Sequence, residues 1–219
     1  MKTRFGRLAL AGVLAFGLLA AGTKEASAQQ QAGARSGQQS RIYMMRGLLG
    51  IFSLGIDSLA AKLRAQGYDP QILGWDQWGQ IASEILAANR NGDASQIILI
   101  GHSLGSNSTI QVASAVQQQN IPVDLIVTFD ITQPLQVPRN VQRFINFYQY
   151  NGFGERAVPG YGFTGELQNI DLTADSSIGH GNIDEIPRLQ QAVVDKVLEI
   201  TIQQTKKTPA RVQRGRPQS

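Results

Sequence analysis

The chain has 219 residues, no cysteine and a formal net charge of +4 at pH 7, and the lack of cysteine excludes a disulfide scaffold and a lipid-modified N-terminal cysteine. The positive charge is concentrated at the two ends, because residues 41–205 carry 10 basic against 15 acidic side chains. This acidic central region argues against a nucleic-acid-binding surface, and its length is typical of a single domain.

The first 28 residues have the three parts of a secretory signal peptide. Basic residues lie within positions 2–7, an apolar run covers Leu8 to Ala21, and Ala26-Ser27-Ala28 is an A-x-A cleavage site. The apolar run is shorter than the roughly 20 residues that a spanning helix needs, so no stable membrane span is expected. The sequence therefore predicts a bacterial protein that is exported to the periplasm or secreted.

Two further segments are too polar to form a packed core. Residues 29–40 are mainly Gln, Ala, Gly and Ser, which predicts a disordered linker. Residues 206–219 carry five cations and few apolar side chains, which predicts a disordered basic tail. The tail is a candidate for weak contact with anionic polymers or lipids of the envelope. The folded domain is therefore predicted to cover residues 41–205.

Within this domain, strand-like and helix-like segments alternate. The predicted strands are 42–45, 69–74, 96–100, 123–129, 141–150 and 167–172. The first predicted helix carries Leu59, Ala60 and Leu63 on its inward face and ends at Gly67. The other predicted helices are 75–89, 107–118 and 183–203. Residues 51–57 are apolar but interrupted by Gly55, and we interpret them as a loop. The alternation predicts an α/β domain with a mostly parallel sheet, helices on both faces and no large cap domain.

The strand at 96–100 leads directly into a G-x-S-x-G pentapeptide, Gly101 to Gly105, and then into a helix. A serine in this setting lies on a tight strand-to-helix turn that exposes its hydroxyl at the tip of the strand. Glycines on both sides let the strand and helix backbones pass close to the serine. The pattern therefore predicts a nucleophile elbow with Ser103 as the nucleophile.

The chain has two histidines, His102 and His180. Consecutive side chains diverge at a sharp turn, so His102 is a poor candidate to accept the proton of Ser103. His180 lies late in the chain, in a loop-like stretch ahead of the last helix, and we predict it to be the base of a serine triad. An ordinary solvated loop histidine is the simpler interpretation if the elbow does not form.

These motifs resemble the α/β-hydrolase superfamily of serine esterases, lipases and thioesterases, over essentially the whole span 41–203. Residues 45–50 resemble the H-G-x-x-G loop that follows the first core strand in bacterial lipases, with Arg46 in place of the histidine. The resemblance implies an oxyanion hole formed by the backbone N–H groups of Leu48 and Leu104. Such amides are typically worth about 2.7–4 kcal/mol each. The Arg46 departure weakens the lipase assignment more than the hydrolase one.

The third member of the triad is expected at the carboxyl end of a strand between Ser103 and His180. Asp130 ends the apolar run 125–129 and is our first candidate, in a position that resembles the acid of some lipases. Asp175 and Glu155 remain alternatives. A turn or cap aspartate is the non-catalytic interpretation of Asp130.

The resemblance implies hydrolysis of carboxylic esters through an acyl-enzyme, with no metal and no organic cofactor. The glycine- and aromatic-rich segment 151–163 is expected to border the site, together with Leu49 and Phe52, and to form an apolar acyl or aryl pocket. A thioesterase or acyltransferase on the same site is the close alternative. A hydrolase-fold protein that binds a ligand without turnover is the alternative from another class.

Overall fold

The computed structural model of the protein describes residues 40–48 and 54–207. The strands are β1 (Ser40–Arg46), β2 (Gln71–Gly74), β3 (Gln96–His102), β4 (Leu125–Phe129), β5 (Gln136–Val137), β6 (Arg143–Tyr148), β7 (Val158–Pro159) and β8 (Glu166–Asp171). The helices are α1 (Leu54–Ala65), α2 (Trp78–Arg90), α3 (Leu104–Gln117) and α4 (Pro187–Lys207). The predicted signal peptide, nearly all of the predicted linker and residues 208–219 lie outside the described residues.

Six strands form one sheet in the order β2-β1-β3-β4-β6-β8, and every pairing in it is parallel. The two short strands β5 and β7, which we did not predict, pair with each other in a separate parallel ribbon. All seven residues of β3 are buried, as expected for a central strand that is covered on both faces.

Side chains of β3 alternate between two hydrophobic cores. Ile98 and Ile100 belong to the core under α1 and α4, and Ile97 and Leu99 belong to the core under α2 and α3. Helices therefore cover both faces of the sheet, and the described residues contain no large cap domain. The predicted α/β fold class is confirmed, and the architecture is compatible with the α/β-hydrolase resemblance.

The connections place a crevice at the carboxyl end of the central strands. The chain leaves β1 for α1 on one face, returns through β2 and α2, and leaves β3 for α3 on the opposite face. Neighbouring strands whose connections diverge in this way form a topological switch point, where open α/β sheets bind their ligands. The residues that follow β1 and β3 are those predicted to form the oxyanion loop and the elbow.

The loop interpretation of residues 51–57 is wrong from Leu54 onward, because α1 begins there. The Asp184 carboxylate accepts a hydrogen bond from the Ile56 amide at 3.1 Å and so caps the first turn of α1. Position 55 of this turn requires a glycine, because a Cβ there would lie 2.3 Å from the Asp184 backbone. A distant contact thus makes helix out of a segment whose glycine indicates a break. Residues 51–53 lie outside the described residues.

Other boundaries also shift. Strand β3 continues to His102 and α3 begins immediately after Ser103, so the elbow turn is shorter than predicted. Strand β6 begins at Arg143, because Val141 forms only an isolated bridge with Val123. The last predicted helix begins as a short 3₁₀ turn, Ile183–Glu185, and α4 then continues through Lys207, past the predicted start of the tail. None of the helices in the described ranges is long and apolar enough to cross a membrane.

Candidate active site

Ser103 is the single residue between β3 and α3, and its backbone is strained, with φ of 58° and ψ of −125°. Its amide continues the sheet ladder by donating to the Phe129 carbonyl at 2.9 Å. A Cβ on Gly101 would lie 2.4 Å from the Gly105 carbonyl oxygen, and one on Gly105 would lie 2.2 Å from the Met45 carbonyl oxygen. The two glycines are therefore required by close backbone packing, as the elbow pattern predicts.

The His180 ring lies between the other two predicted side chains. Its Nε2 is 2.9 Å from Ser103 Oγ, and its Nδ1 is 3.1 Å from Asp130 Oδ2. The loop that carries His180 is closed by Asn182, whose side-chain oxygen accepts a hydrogen bond from the Gly179 amide at 2.7 Å. The structure therefore brings together Ser103, His180 and Asp130, which are up to 77 residues apart in sequence.

Asp130 directly follows β4 and is fully buried. Its amide donates to the Phe147 carbonyl at 2.8 Å, and its φ is 53°. Carboxylate oxygen Oδ1 accepts a hydrogen bond from the Gln149 amide at 3.0 Å, which leaves Oδ2 directed at His180. Gly154 packs so closely on this carboxylate that a Cβ there would lie 2.5 Å from Oδ1.

The alternative acids have other partners. Asp175 accepts hydrogen bonds from Ser177 and forms an ion pair with Arg188 at 3.0 Å. Glu155 follows the loop beyond β6, and its backbone carbonyl accepts a hydrogen bond from Asn146 at 2.9 Å. Neither carboxylate is joined to the His180 ring among the contacts of the described residues, so the geometry favours the acid at the end of β4.

An open cavity of about 460 Å³ lies over the serine hydroxyl. Its described lining consists of Gly47, Leu48, His102, Ser103, Leu104, Thr132, Phe153, His180 and Gly181. Leu48 and Leu104, the residues predicted to supply oxyanion-hole amides, thus border the same cavity as the serine. Leu104 is the first residue of α3, so its N–H has no acceptor within the helix.

The glycine- and aromatic-rich segment contributes less than predicted. Phe153 lines the cavity, and its ring is 5.1 Å from the His180 ring in an edge-to-face arrangement. Tyr161 is 98% exposed and borders a different hollow, beside β5. The expectation that segment 151–163 borders the site is therefore right at Phe153 and wrong at Tyr161. The pairing of β7 with β5 leads this later part of the segment away from the cavity. Leu49 and Phe52 lie outside the described residues.

Arg46, the departure from the lipase loop pattern, has a structural role in this chain. Its guanidinium forms a two-point ion pair with Asp57 of α1, with Nε 3.0 Å from Oδ2. Both side chains are about one-third exposed, so the pair is worth at most about 1 kcal/mol. It links the end of β1 to α1 across the loop predicted to hold one oxyanion amide.

Sequence reasoning missed a second histidine–carboxyl pair behind the first. His102 is 1% exposed, and burial lowers its pKa to about 4. Its Nδ1 lies 3.9 Å from Oδ2 of Asp184, whose own pKa burial raises to about 7. The signal for His102 was its position in the elbow. Asp184 carried no comparable signal, because an aspartate before a helix is an ordinary cap.

Thr132 was also missed. It lines the cavity and forms two hydrogen bonds with Asn107 of α3. The Asn107 side-chain amide donates to the Thr132 hydroxyl at 2.7 Å, and the Thr132 backbone amide donates to the Asn107 side-chain oxygen at 3.1 Å.

In the described parts of the chain, no group of three or more His, Cys, Asp or Glu side chains is arranged to hold a metal ion. No protein-family model matches the chain, and no curated protein matches it.

Proposed function

We propose that the chain is an exported serine hydrolase of the α/β-hydrolase type that cleaves carboxylic esters through an acyl-enzyme. One observation carries the proposal: a continuous path of hydrogen bonds from Ser103 Oγ through the His180 ring to the buried Asp130 carboxylate, with lengths of 2.9 and 3.1 Å. A nucleophile, a base and a group that orients the base, each within hydrogen-bond reach, are the signature of an activated serine.

In the proposed reaction, His180 Nε2 takes the proton of Ser103 as Oγ attacks the acyl carbonyl. The imidazolium then gives this proton to the leaving alcohol as the ester C–O bond breaks, and an acyl-Ser103 ester remains. Water, deprotonated by His180, attacks this ester and releases the acid and the free serine. Asp130 keeps the Nδ1 proton in place and stabilises the imidazolium throughout.

The backbone amides of Leu48 and Leu104 are proposed to bind the oxyanion of each tetrahedral intermediate. Their support is that both residues border the cavity over Ser103, and that one of them begins a helix whose N-terminal amides carry partial positive charge. The contributing groups belong to the backbone, so an arginine at position 46 in place of the lipase histidine is compatible with the role.

The cavity lining supports an uncharged acyl or aryl group as substrate. Leu48, Leu104 and Phe153 supply apolar surface, and the described lining contains no Asp, Glu, Lys or Arg. A charged group would lose hydration there without gaining a partner. Thioesters have the same acyl carbonyl and are the alternative substrate class, so the tests below include both.

Labelling with a fluorophosphonate tests the proposal. The mature protein is treated with the probe and analysed by intact mass, beside Ser103→Ala and His180→Ala. We expect stoichiometric labelling of the wild type, none of Ser103→Ala and strongly slowed labelling of His180→Ala, because the serine is activated only by the ring. Ser114→Ala is the matched serine control: Ser114 is an exposed serine on the same helix, α3, so labelling should persist.

Hydrolysis of matched oxygen and thio esters of short, uncharged acids then separates the substrate classes. Faster turnover of the oxygen ester supports an esterase, and a strong preference for the thioester supports the thioesterase alternative. Folded wild-type protein that neither reacts with the probe nor hydrolyses either ester would contradict the proposal and favour a ligand-binding role.

A further inference from the structure

His102 and Asp184 form a buried pair that the proposed reaction does not use. His102 is the last residue of β3, and Asp184 lies in the 3₁₀ turn Ile183–Glu185 just before α4. Their exposed fractions are 1% and 0%. Burying two ionisable groups costs free energy, so the contacts that they make beyond each other need an explanation.

His102 reaches the loop of the proposed base. Its Nε2 is 2.8 Å from the backbone carbonyl oxygen of His180. A carbonyl oxygen only accepts, so Nε2 must carry the proton and donate it. Burial lowers the pKa of His102 to about 4, so at neutral pH the ring is uncharged and Nδ1 is unprotonated. The last residue of the elbow strand is therefore hydrogen-bonded to the very residue whose ring faces Ser103.

Asp184 lies beside the same ring and is bonded to the backbone of α1. Its Oδ2 lies 3.9 Å from His102 Nδ1 and accepts the Ile56 amide of α1 at 3.1 Å. Its other oxygen, Oδ1, is buried and has no hydrogen-bond partner in the described part of the chain. Gln190 of α4 donates to the carbonyl oxygens of Asp184 and Gly55, at 2.7 and 3.0 Å, and closes the cluster.

We propose that His102 and Asp184 are positioning residues, which fix the backbone of His180 relative to the elbow and α1 so that its ring reaches both Ser103 and Asp130. The inference rests on the proposed function for its catalytic consequence, but its structural claim concerns the His180 ring alone. The reason is geometric: His180 lies on a loop, and the His102 bond ties that loop to a strand whose residues are all buried. A displacement of about 1 Å at a base costs about 100-fold in rate.

The first test compares His102→Gln with His102→Asn. Both introduce a buried amide, but the glutamine N–H reaches the place of the histidine Nε2 and the asparagine N–H falls short of it. We expect His102→Gln to retain most of the wild-type kcat. We expect His102→Asn to lose about 10- to 100-fold in kcat. The change in KM should be smaller, because Leu48 and Leu104, which supply apolar surface to the cavity, lie outside the loop that carries His180.

The second test compares Asp184→Ala with Asp124→Ala. Asp124 is the matched control: it is a partly buried carboxylate with a raised pKa that accepts a backbone amide, from Ile97 at 2.9 Å, but it lies at the amino end of β3 and β4, away from the cavity. Both variants are expected to lower the melting temperature. Only Asp184→Ala should also lower kcat, and this pair decides the matter if His102→Asn does not fold.

A readout that does not depend on turnover is the proton NMR signal of the His180 Nδ1–H, which a hydrogen bond to a carboxylate shifts strongly downfield. We expect this signal in the wild type, His102→Gln and Asp124→Ala, and expect it weakened or lost in His102→Asn and Asp184→Ala. Equal signals and equal kcat in the two His102 variants would overturn the inference, as would equal losses in the two Asp variants. An intact signal pattern in a protein that hydrolyses nothing would instead overturn the proposed function alone.

Discussion

Ser103 and Asp130 are held by their backbones in the same way. Each directly follows a strand, each has a positive φ, and each donates its amide to the last part of the next strand, at Phe129 and Phe147 respectively. A positive φ costs a residue with a side chain about 1–3 kcal/mol, and continuing the sheet ladder offsets this cost. The two side chains are therefore rigidly placed, and His180, on a loop, is the residue that needs additional support.

Replacing Asp130 with asparagine tests the role of the charge. We expect Asp130→Asn to lower kcat by about 10³-fold or more, with a small change in KM, because a neutral amide neither stabilises the imidazolium nor keeps the proton on Nδ1. Steady-state hydrolysis of an uncharged aryl ester provides the measurement.

Asp175→Asn is the matched control for this prediction. Its carboxylate is exposed, belongs to the loop ahead of His180 and is engaged with Ser177 and Arg188. This variant should retain nearly wild-type kcat. Near-wild-type activity of Asp130→Asn combined with a large loss in Asp175→Asn would reverse our assignment of the acid.

At the level of elements, the elbow depends on how closely α3 approaches β1 and β3. The Ser106 hydroxyl of α3 shares its proton between the Gly101 and Phe129 carbonyl oxygens, at 2.8 and 2.9 Å, which binds the first turn of the helix to two strand ends. Gly105 faces the carbonyl oxygen of Met45, with no room for a Cβ. The serine is thus exposed to the cavity because the helix can approach the sheet without an intervening side chain.

Gly105→Ala is therefore expected to destabilise the protein by about 1–3 kcal/mol, the usual range for overpacking, and to slow fluorophosphonate labelling because α3 must move away from β1. Gly79→Ala in α2 is the matched control, since a Cβ there meets nothing within 4 Å. It should stabilise the protein by about 0.5–1 kcal/mol through helix propensity. Urea unfolding and labelling rates measure both variants, and equal stability of the two would contradict the packing argument.

For the molecule as a whole, the His102–Asp184 pair makes stability depend on pH in two opposing ways. Burial raises the pKa of Asp184 from 3.8 to about 7, so the stability that the protonated carboxyl contributes is lost as pH rises between those values. Burial lowers the pKa of His102 from 6.5 to about 4, so the stability that the neutral ring contributes is lost as pH falls between those values. Between pH 4 and 6.5 the two slopes largely cancel.

Asp184→Asn removes one of these slopes. The free energy of unfolding of the variant, relative to wild type, should increase with pH by up to about 1.4 kcal/mol per unit between pH 4 and pH 7 and then level off. The other charged groups that act on the pKa of Asp184, Glu185 and His180, are present in both proteins, so the difference isolates the carboxyl. Urea unfolding at pH 4.5, 5.5, 6.5 and 7.5 provides the measurement, and a difference that does not vary with pH would contradict it.

Local arrangements could be predicted from the sequence alone. A strand, a tight turn and a helix were predicted from the aliphatic run before Gly101 and the helix-compatible segment after Gly105. This prediction was possible because hydrophobic periodicity and glycine positions depend on neighbouring residues. The alternation of such segments predicted the parallel sheet with helices on both faces. Ser103 and Asp130 were therefore expected at the carboxyl ends of neighbouring strands.

Which distant groups meet depends on the packing of the whole fold. The partner of His180 among three candidate carboxylates depends on the course of loops, and the contact is made across 50 residues to Asp130. The Ile56–Asp184 bond spans 128 residues, and it made helix of a segment whose glycine indicated a loop. Local sequence encodes helix and strand propensity, whereas a buried contact between distant residues follows from the packing of the whole chain. The second histidine–carboxyl pair could therefore not be found in the sequence.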